Sequence, residues 1–259
     1  MNPYDPIEVA ELYAKDGMQS TGYSVRFQDL EEEDPAKRWT ECGIVSKNYL
    51  LVSNSDLRDV QDSLVGGSSM PFEESKVFFD KRHFMRTLTT KNLQQDIRVG
   101  DPVAFGIGVY NSYDGTRAAS VFSFINHLRC SNGMVSTKHL TTYRFKHTQG
   151  KADWSQETES AFKLLLSSPE QQFTEFTNRL VQLTQKKLGF SALTELREGS
   201  LSNLNLSSWG DVMDRYLKGQ DWTGMGFLDS LTGRSWHSES WSGIQQVPLF
   251  VDTMLSLTS

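Results

Sequence analysis

A chain of 259 residues with 37% hydrophobic and 22% charged side chains can bury a sizeable core, which excludes disorder throughout. Two cysteines, Cys42 and Cys130, are too few for a disulfide framework, and no apolar run approaches the roughly 20 residues that cross a bilayer. The start MNPYDPIEVAELYAKDG has no basic-then-apolar leader, so a cytoplasmic protein with reduced thiols and no membrane partner is expected.

The net charge of −6 is unevenly spread. Residues 1–80 hold 7 Lys+Arg against 16 Asp+Glu, and residues 151–259 hold 9 against 13. Residues 81–150 reverse the balance, with 10 against 3, and contain His83, His127, His139 and His147. Segregation of this kind marks an electrostatic footprint that the net value hides.

In chain order, the first thirty residues read as an irregular or partly helical arm, ending in the solvated acidic run Glu31 to Asp34. Residues 38–46 and 49–54 read as two strands around a Lys47-Asn48 turn. Ser53, Asn54 or Ser55 then caps a helix carrying Leu57, Val60 and Leu64, which Gly66-Gly67 stops. Residues 76–146 form a run of strands, KVFFDKRHFMRTLTT, IRVGDPVAFGIGVYNS, TRAASVFSFINHLRCS and TTYRFKHT, joined at Gly100-Asp101-Pro102 and Asp114-Gly115. An antiparallel meander follows, although alternation around Val121 to Ile125 is too imperfect to fix the buried face.

From about residue 152 the period is helical. Ser168-Pro169-Glu170-Gln171 supplies a cap and first turn for a helix bearing Phe173, Phe176, Leu180 and Leu183. Shorter helices are expected over 192–198, 209–218 and 248–257, with 201–208 as a loop. The division is thus an N-terminal arm over 1–37, a β-rich core over 38–150 and a helical region over 151–259 packed on it. The fold class is α+β: an antiparallel meander with one early helix and a helical C-terminal part.

The central block interleaves cations with aromatic residues, the pattern that holds single-stranded nucleic acid by phosphate contacts and base stacking. The candidate contacts are Lys81, Arg82, Arg86, Arg117, Arg129, Lys138, Arg144 and Lys146, with Tyr143 and Phe145 as stacking surfaces. The competing reading is a Phe and Tyr core with solvated cations on its far side. His127, Cys130, His139 and His147 have metal-binding types, but H-x2-C-x8-H-x7-H matches no compact finger. His127 and Cys130 would point to opposite faces of a strand, so no metal is expected and Cys130 reads as a small buried residue. No phosphate loop, H-E-x-x-H, G-x-S-x-G or dinucleotide fingerprint occurs, and Gly106-Ile107-Gly108 reads as close backbone approach. No catalytic residue and no cofactor are assigned. The stretch Trp222, Phe227, Trp236, His237 and Trp241 reads as an aromatic cap.

Two stretches resemble a family of phage- and plasmid-encoded proteins described as domain of unknown function 932. They are GIVSKNYLLVSNSDL and YNSYDGTRAASVFSFINHLRCSNGMVSTKHLTTYRFKHTQG, together covering about residues 43–150. The resemblance implies a role in replication, recombination or host takeover on a mobile element. The order hairpin, helix, antiparallel strands is also similar to phage single-strand annealing proteins of the Erf and Red-beta type, an analogy of topology. Within Arg129-Cys130-Ser131-Asn132-Gly133-Met134, the Asn132-Gly133 pair suits a turn with positive φ, and Arg129 is the expected contact to a phosphate or a carboxylate.

The leading expectation is a phage or mobile-element DNA-metabolism accessory protein that binds single-stranded DNA, anneals strands and forms a homo-oligomer. The alternative is a non-enzymatic interaction module whose basic sheet docks on an acidic surface of a host or phage protein, or of a second copy.

Overall fold

Strand-forming alternation starts earlier in this chain than residue 38. In the computed structural model, which describes residues 2–13, 20–136, 140–145, 147, 154–237 and 241–258, the first thirty residues form β1 (Ile7–Tyr13) and β2 (Ser20–Gln28) rather than an irregular arm. Tyr23, Val25 and Phe27 share one face, and Val25 and Phe27 are fully buried, so the period of two prevails over local helix propensity. These strands pair antiparallel with each other and with β3 (Trp39–Val45) in a three-stranded sheet.

The second sheet follows the expected meander, and the chain is α+β with a helical C-terminal part. Its order is β4 (Glu73–Phe79), β5 (His83–Asp96), β6 (Pro102–Ser112), β7 (Ala119–His127) and β8 (Asn132–Met134), and β9 (Thr142–Phe145) also pairs with β7. KVFFDKRHFMRTLTT is two strands, not one. Its turn is set by Asp80, whose carboxylate accepts from the N–H groups of Arg82 and His83, and Lys81 stands at φ 73°. All nine residues of β7 are buried, which explains the imperfect alternation: a strand covered on both faces has no polar side to display.

The chain divides into two compact units, and β5, β6 and β7 lend residues to each. The first comprises Met1–Leu88, Ile107–Phe122 and Thr142–Ser167. Val25, Phe27, Cys42, Val45, Tyr49 and Tyr113 form a core cluster within it. Helix α1 (Asn54–Gly66) starts where expected, with Ser53 Oγ accepting from the Asp56 N–H at 3.0 Å. The expected strand over 49–54 is absent: that segment is held by Tyr49 Oη donating to the Ser112 carbonyl and Asn111 Nδ2 donating to the Val52 carbonyl. The Tyr113 hydroxyl accepts from the Asn54 N–H at 2.9 Å, so Asn111-Ser112-Tyr113 anchors the start of α1. Gly108 is needed for close approach, since a Cβ there would lie 2.4 Å from the Phe122 ring. Helix α2 (Trp154–Leu165) completes this unit.

The second unit comprises Thr89–Gly106, Ser123–Thr141 and Ser168–Ser259. Its helices are α3 (Pro169–Gln185), α4 (Phe190–Glu198), α5 (Leu206–Gly219), α6 (Gly224–Trp236), α7 (Trp241–Ile244) and α8 (Val247–Leu255). Phe173, Phe176, Leu180 and Leu183 of α3 are buried as their spacing predicts, although Ser168 makes no side-chain cap bond. Helix α6 had no counterpart in the sequence reading. Gly224, Gly226, Gly233 and several hydroxyl residues depress its propensity, but eleven of its thirteen residues are buried, so packing overrides propensity. The linear division into arm, β core and helical region is therefore not the division into compact units. No helix of the described residues is long and apolar enough to cross a membrane.

Candidate functional site

The second unit brings four chain segments to one histidine. Strand β7 ends at His127, and the chain turns through Leu128 to Ser131, the last at φ 55°, before β8 pairs back with His127 opposite Asn132. The turn returns Cys130 over the imidazole, 3.1 Å from Sγ to Nδ1. Alternation between strand faces ceases where the strand ends, so His127 and Cys130 converge instead of diverging. Cys130 is exposed, not packed inward.

Two carboxylates complete the surroundings of His127. Asp229, on the second turn of α6, places Oδ1 2.7 Å from Nδ1 and 3.8 Å from the Cys130 sulfur. Asp101, buried at the start of β6, bonds the other ring nitrogen, Nε2. The turn before β6 fixes Asp101: Gly100 takes φ 73°, and Arg98 Nε donates to Asp101 at 2.6 Å while its Nη1 reaches Asp221, also at 2.6 Å. Asp221 in turn accepts from Thr223, the N-cap of α6.

The helix can come this close because its neighbours are small. A Cβ on Gly133 would lie 2.3 Å from the Trp236 ring, so Asn132-Gly133 is a strand segment under α6, not a turn with positive φ. Asn132 Nδ2 donates to the Asp229 carbonyl at 3.2 Å, tying β8 to the helix turn that carries Asp229.

Burial disfavours a charged His127, but the Asp229 and Cys130 bonds outweigh it and hold the imidazole proton well above the ordinary histidine range. Burial also works to raise Asp101, yet the bonds from His127 and Arg98 keep it ionised below its usual range. For Asp229 the burial wins, and its carboxyl is raised despite His127.

This cluster floors a cleft of about 390 Å³, whose wall includes Arg129, Arg215, His237 and Asn132. Arg129 and Arg215 are exposed, and neither has an ion-pair partner among the described residues. Trp222, 48% exposed, follows the lining residue Asp221. The cleft thus combines an acidic and sulfur-bearing floor with a cationic rim.

The other sequence candidates do not gather there. Lys81, Arg82, Arg86, Arg117, Tyr143, Arg144 and Phe145 belong to the first unit, Arg129 alone to the second, and Lys138, His139 and Lys146 lie outside the described residues. Arg86 is a correction: it is buried, bonded to Asp62 at 2.7 Å and Glu74 at 2.8 Å, because a guanidinium leaves water only against carboxylates. Lys81 faces Asp29 at 3.7 Å. Phe145 is buried at 8% exposure, leaving little ring for a base. Tyr143 and Arg144 do line a hollow of the first unit, with Glu157 opposite. Arg117 lines another, with Asp114 and His147.

Sequence reasoning missed Arg215, Asp221 and Asp229. Arg215 lies in the helix expected over 209–218, and Asp221 and Asp229 lie in or beside the stretch read as an aromatic cap, where no linear motif marks them.

An α+β chain with a histidine, cysteine and carboxylate cluster beneath a cationic rim is what the fold and site define. The chain belongs to the family described as Domain of unknown function (DUF932), which its residues 41–235 match. The match extends beyond the stretches legible by eye and takes in Asp101, His127, Cys130, Arg215 and Asp229, although not His237. No curated protein and no solved structure matches the chain.

Proposed function

We propose that this protein binds single-stranded nucleic acid, DNA in the first instance, and that the contact is the cleft of the second unit rather than a groove along the central strands. The carrying observation is the pair Arg129 and Arg215, exposed at one cleft and with no ion-pair partner among the described residues. Two such guanidinium groups are a phosphate-binding rim. Trp222, exposed and next in sequence to the lining residue Asp221, is the stacking candidate that single strands would use.

The alternative, a basic sheet docking on an acidic protein, draws less support. Arg86 and Lys81, its central cations, are already satisfied by Asp62, Glu74 and Asp29 of the same unit. The proposal is binding. Annealing and oligomer formation, expected on topological grounds, rest on no contact described above.

Fluorescence anisotropy of a labelled oligodeoxynucleotide against salt tests the proposal. Wild-type affinity should fall linearly with log salt, and R129A/R215A should lower both the affinity and the salt slope, the latter by about 2. Absence of binding at low salt, or binding indifferent to the double replacement, refutes it.

A further inference from the structure

We propose that His127 Nδ1, Cys130 Sγ and Asp229 Oδ1 form a binding site for one zinc ion, with the remaining coordination position facing the cleft. The three ligand atoms come from three segments, the end of β7, the following turn and helix α6, and lie within 4.8 Å of one another. A tetrahedral ion with bonds of about 2.0 to 2.3 Å sets its ligand atoms roughly 3.3 to 3.8 Å apart. The sulfur-to-carboxylate separation, 3.8 Å, already meets that spacing. The edges at 3.1 Å and 2.7 Å are shorter, at hydrogen-bond length. Rotation of the Asp229 carboxylate, which sits at the cleft with 22% of its side chain exposed, opens the triangle without moving the backbone.

A second observation separates this cluster from an ordinary buried ion pair. Asp101 occupies the far side of the imidazole, so Nε2 is committed as a donor and Nδ1 is aimed at Cys130 and Asp229. Metal-bound histidines are oriented in this way, by a carboxylate on the nitrogen that does not ligate. Arg98 holds that carboxylate from behind, bridging it to Asp221. The donor set of one imidazole, one thiolate and one carboxylate suits zinc among the common ions, since calcium and magnesium avoid sulfur and nitrogen. Ligands bind a metal deprotonated, so metal binding releases protons and its affinity depends on pH. Three protein ligands with a position left open is the arrangement of reactive zinc sites. Arg129, Arg215 and His237 border the side from which an anion or water would complete the shell.

This inference stands independently of nucleic-acid binding, and its test contains no oligonucleotide. Full-length protein stripped with chelator is titrated with cobalt(II), then with zinc. One equivalent of cobalt should bind with tetrahedral d–d absorption and a thiolate-to-cobalt charge-transfer band, and one equivalent of zinc should displace it. Cys130→Ser should remove the charge-transfer band, Asp229→Asn should weaken affinity at least tenfold, and Asp101→Asn should weaken it 10- to 100-fold by loosening the ring. Cys42→Ala should leave the band unchanged. Cys130 lies on an exposed turn, and retention of the wild-type melting temperature in Cys130→Ser confirms that the fold is intact. The proposal is overturned if neither ion binds stoichiometrically, or if the charge-transfer band is absent or survives Cys130→Ser.

Discussion

Each unit of this protein holds a histidine between two aspartates, and the two differ in what else faces the ring. In the first, His83 Nδ1 meets Asp80 and Nε2 meets Asp114, both at 3.0 Å. These aspartates are turn residues whose remaining oxygens are engaged locally, Asp80 by the Arg82 and His83 N–H groups and Asp114 by Thr116. In the second, Asp101 and Asp229 bracket His127, but Cys130 shares Nδ1 and the cluster opens to a cleft rimmed by Arg129 and Arg215. The same residue types thus make a closed clamp in one place and line an open cleft in the other. What separates them is a soft third atom and cations left without carboxylates.

The sharpest break between the units is in thiol chemistry. Cys42 is buried, and burial pushes its thiol up to about 11, whereas Cys130 is exposed. In chelator-treated protein a maleimide should modify Cys130 faster by on the order of 100-fold or more, since the thiolate is the nucleophile and access is open. Zinc should then protect Cys130. Mass spectrometry of the two cysteine peptides over time reads both effects, and equal rates would contradict the contrast.

A stability measurement comes next. Arg86→Ala leaves the buried Gln61 carbonyl oxygen without its 3.1 Å donor and parts two carboxylates from their partner. Both carboxylates are half exposed, so the loss should be about 2 kcal/mol, below the 3 to 5 kcal/mol of a fully buried pair. Urea denaturation should show that loss, while oligonucleotide affinity of the still-folded protein stays within twofold of wild type. A binding defect without a stability defect would return Arg86 to the list of contacts.

The smallest expected effect sharpens the same comparison. Arg82 is exposed in the β4–β5 turn, and Arg82→Ala should change stability by less than about 0.5 kcal/mol and oligonucleotide affinity by less than twofold. Differential scanning fluorimetry and anisotropy read the two quantities.

Much of the fold was legible in the sequence because local rules agreed with the packing. Ser53 and Gly67 bound α1, the Asp114-Gly115 turn ends β6 with Gly115 at φ 73°, and the Phe173 to Leu183 spacing buries one face of α3. Legibility failed where packing overruled local preference. The paired strands β1 and β2 lie in a segment read as an irregular or partly helical arm, and α6 is a helix with three glycines and three hydroxyl residues. Of the site, Arg129, expected to contact a phosphate or a carboxylate, lines the cleft, while the charge of the basic block did not reveal its geometry. Charge counts along a chain cannot show that Arg86 and Lys81 face carboxylates of residues 1–80. Nor can strand alternation show that Cys130 returns over His127, because the turn that brings it back depends on a positive φ at Ser131, a residue with no special claim to one.

The central claim is that the cleft beneath Arg129 and Arg215 is where this protein meets its ligand. Ultraviolet crosslinking of a single-stranded oligonucleotide, followed by peptide mapping, tests it most directly. Crosslinks are predicted on peptides containing Trp222, Cys130 or His237. Crosslinks confined to peptides of the first unit, such as that carrying Tyr143, would contradict the account.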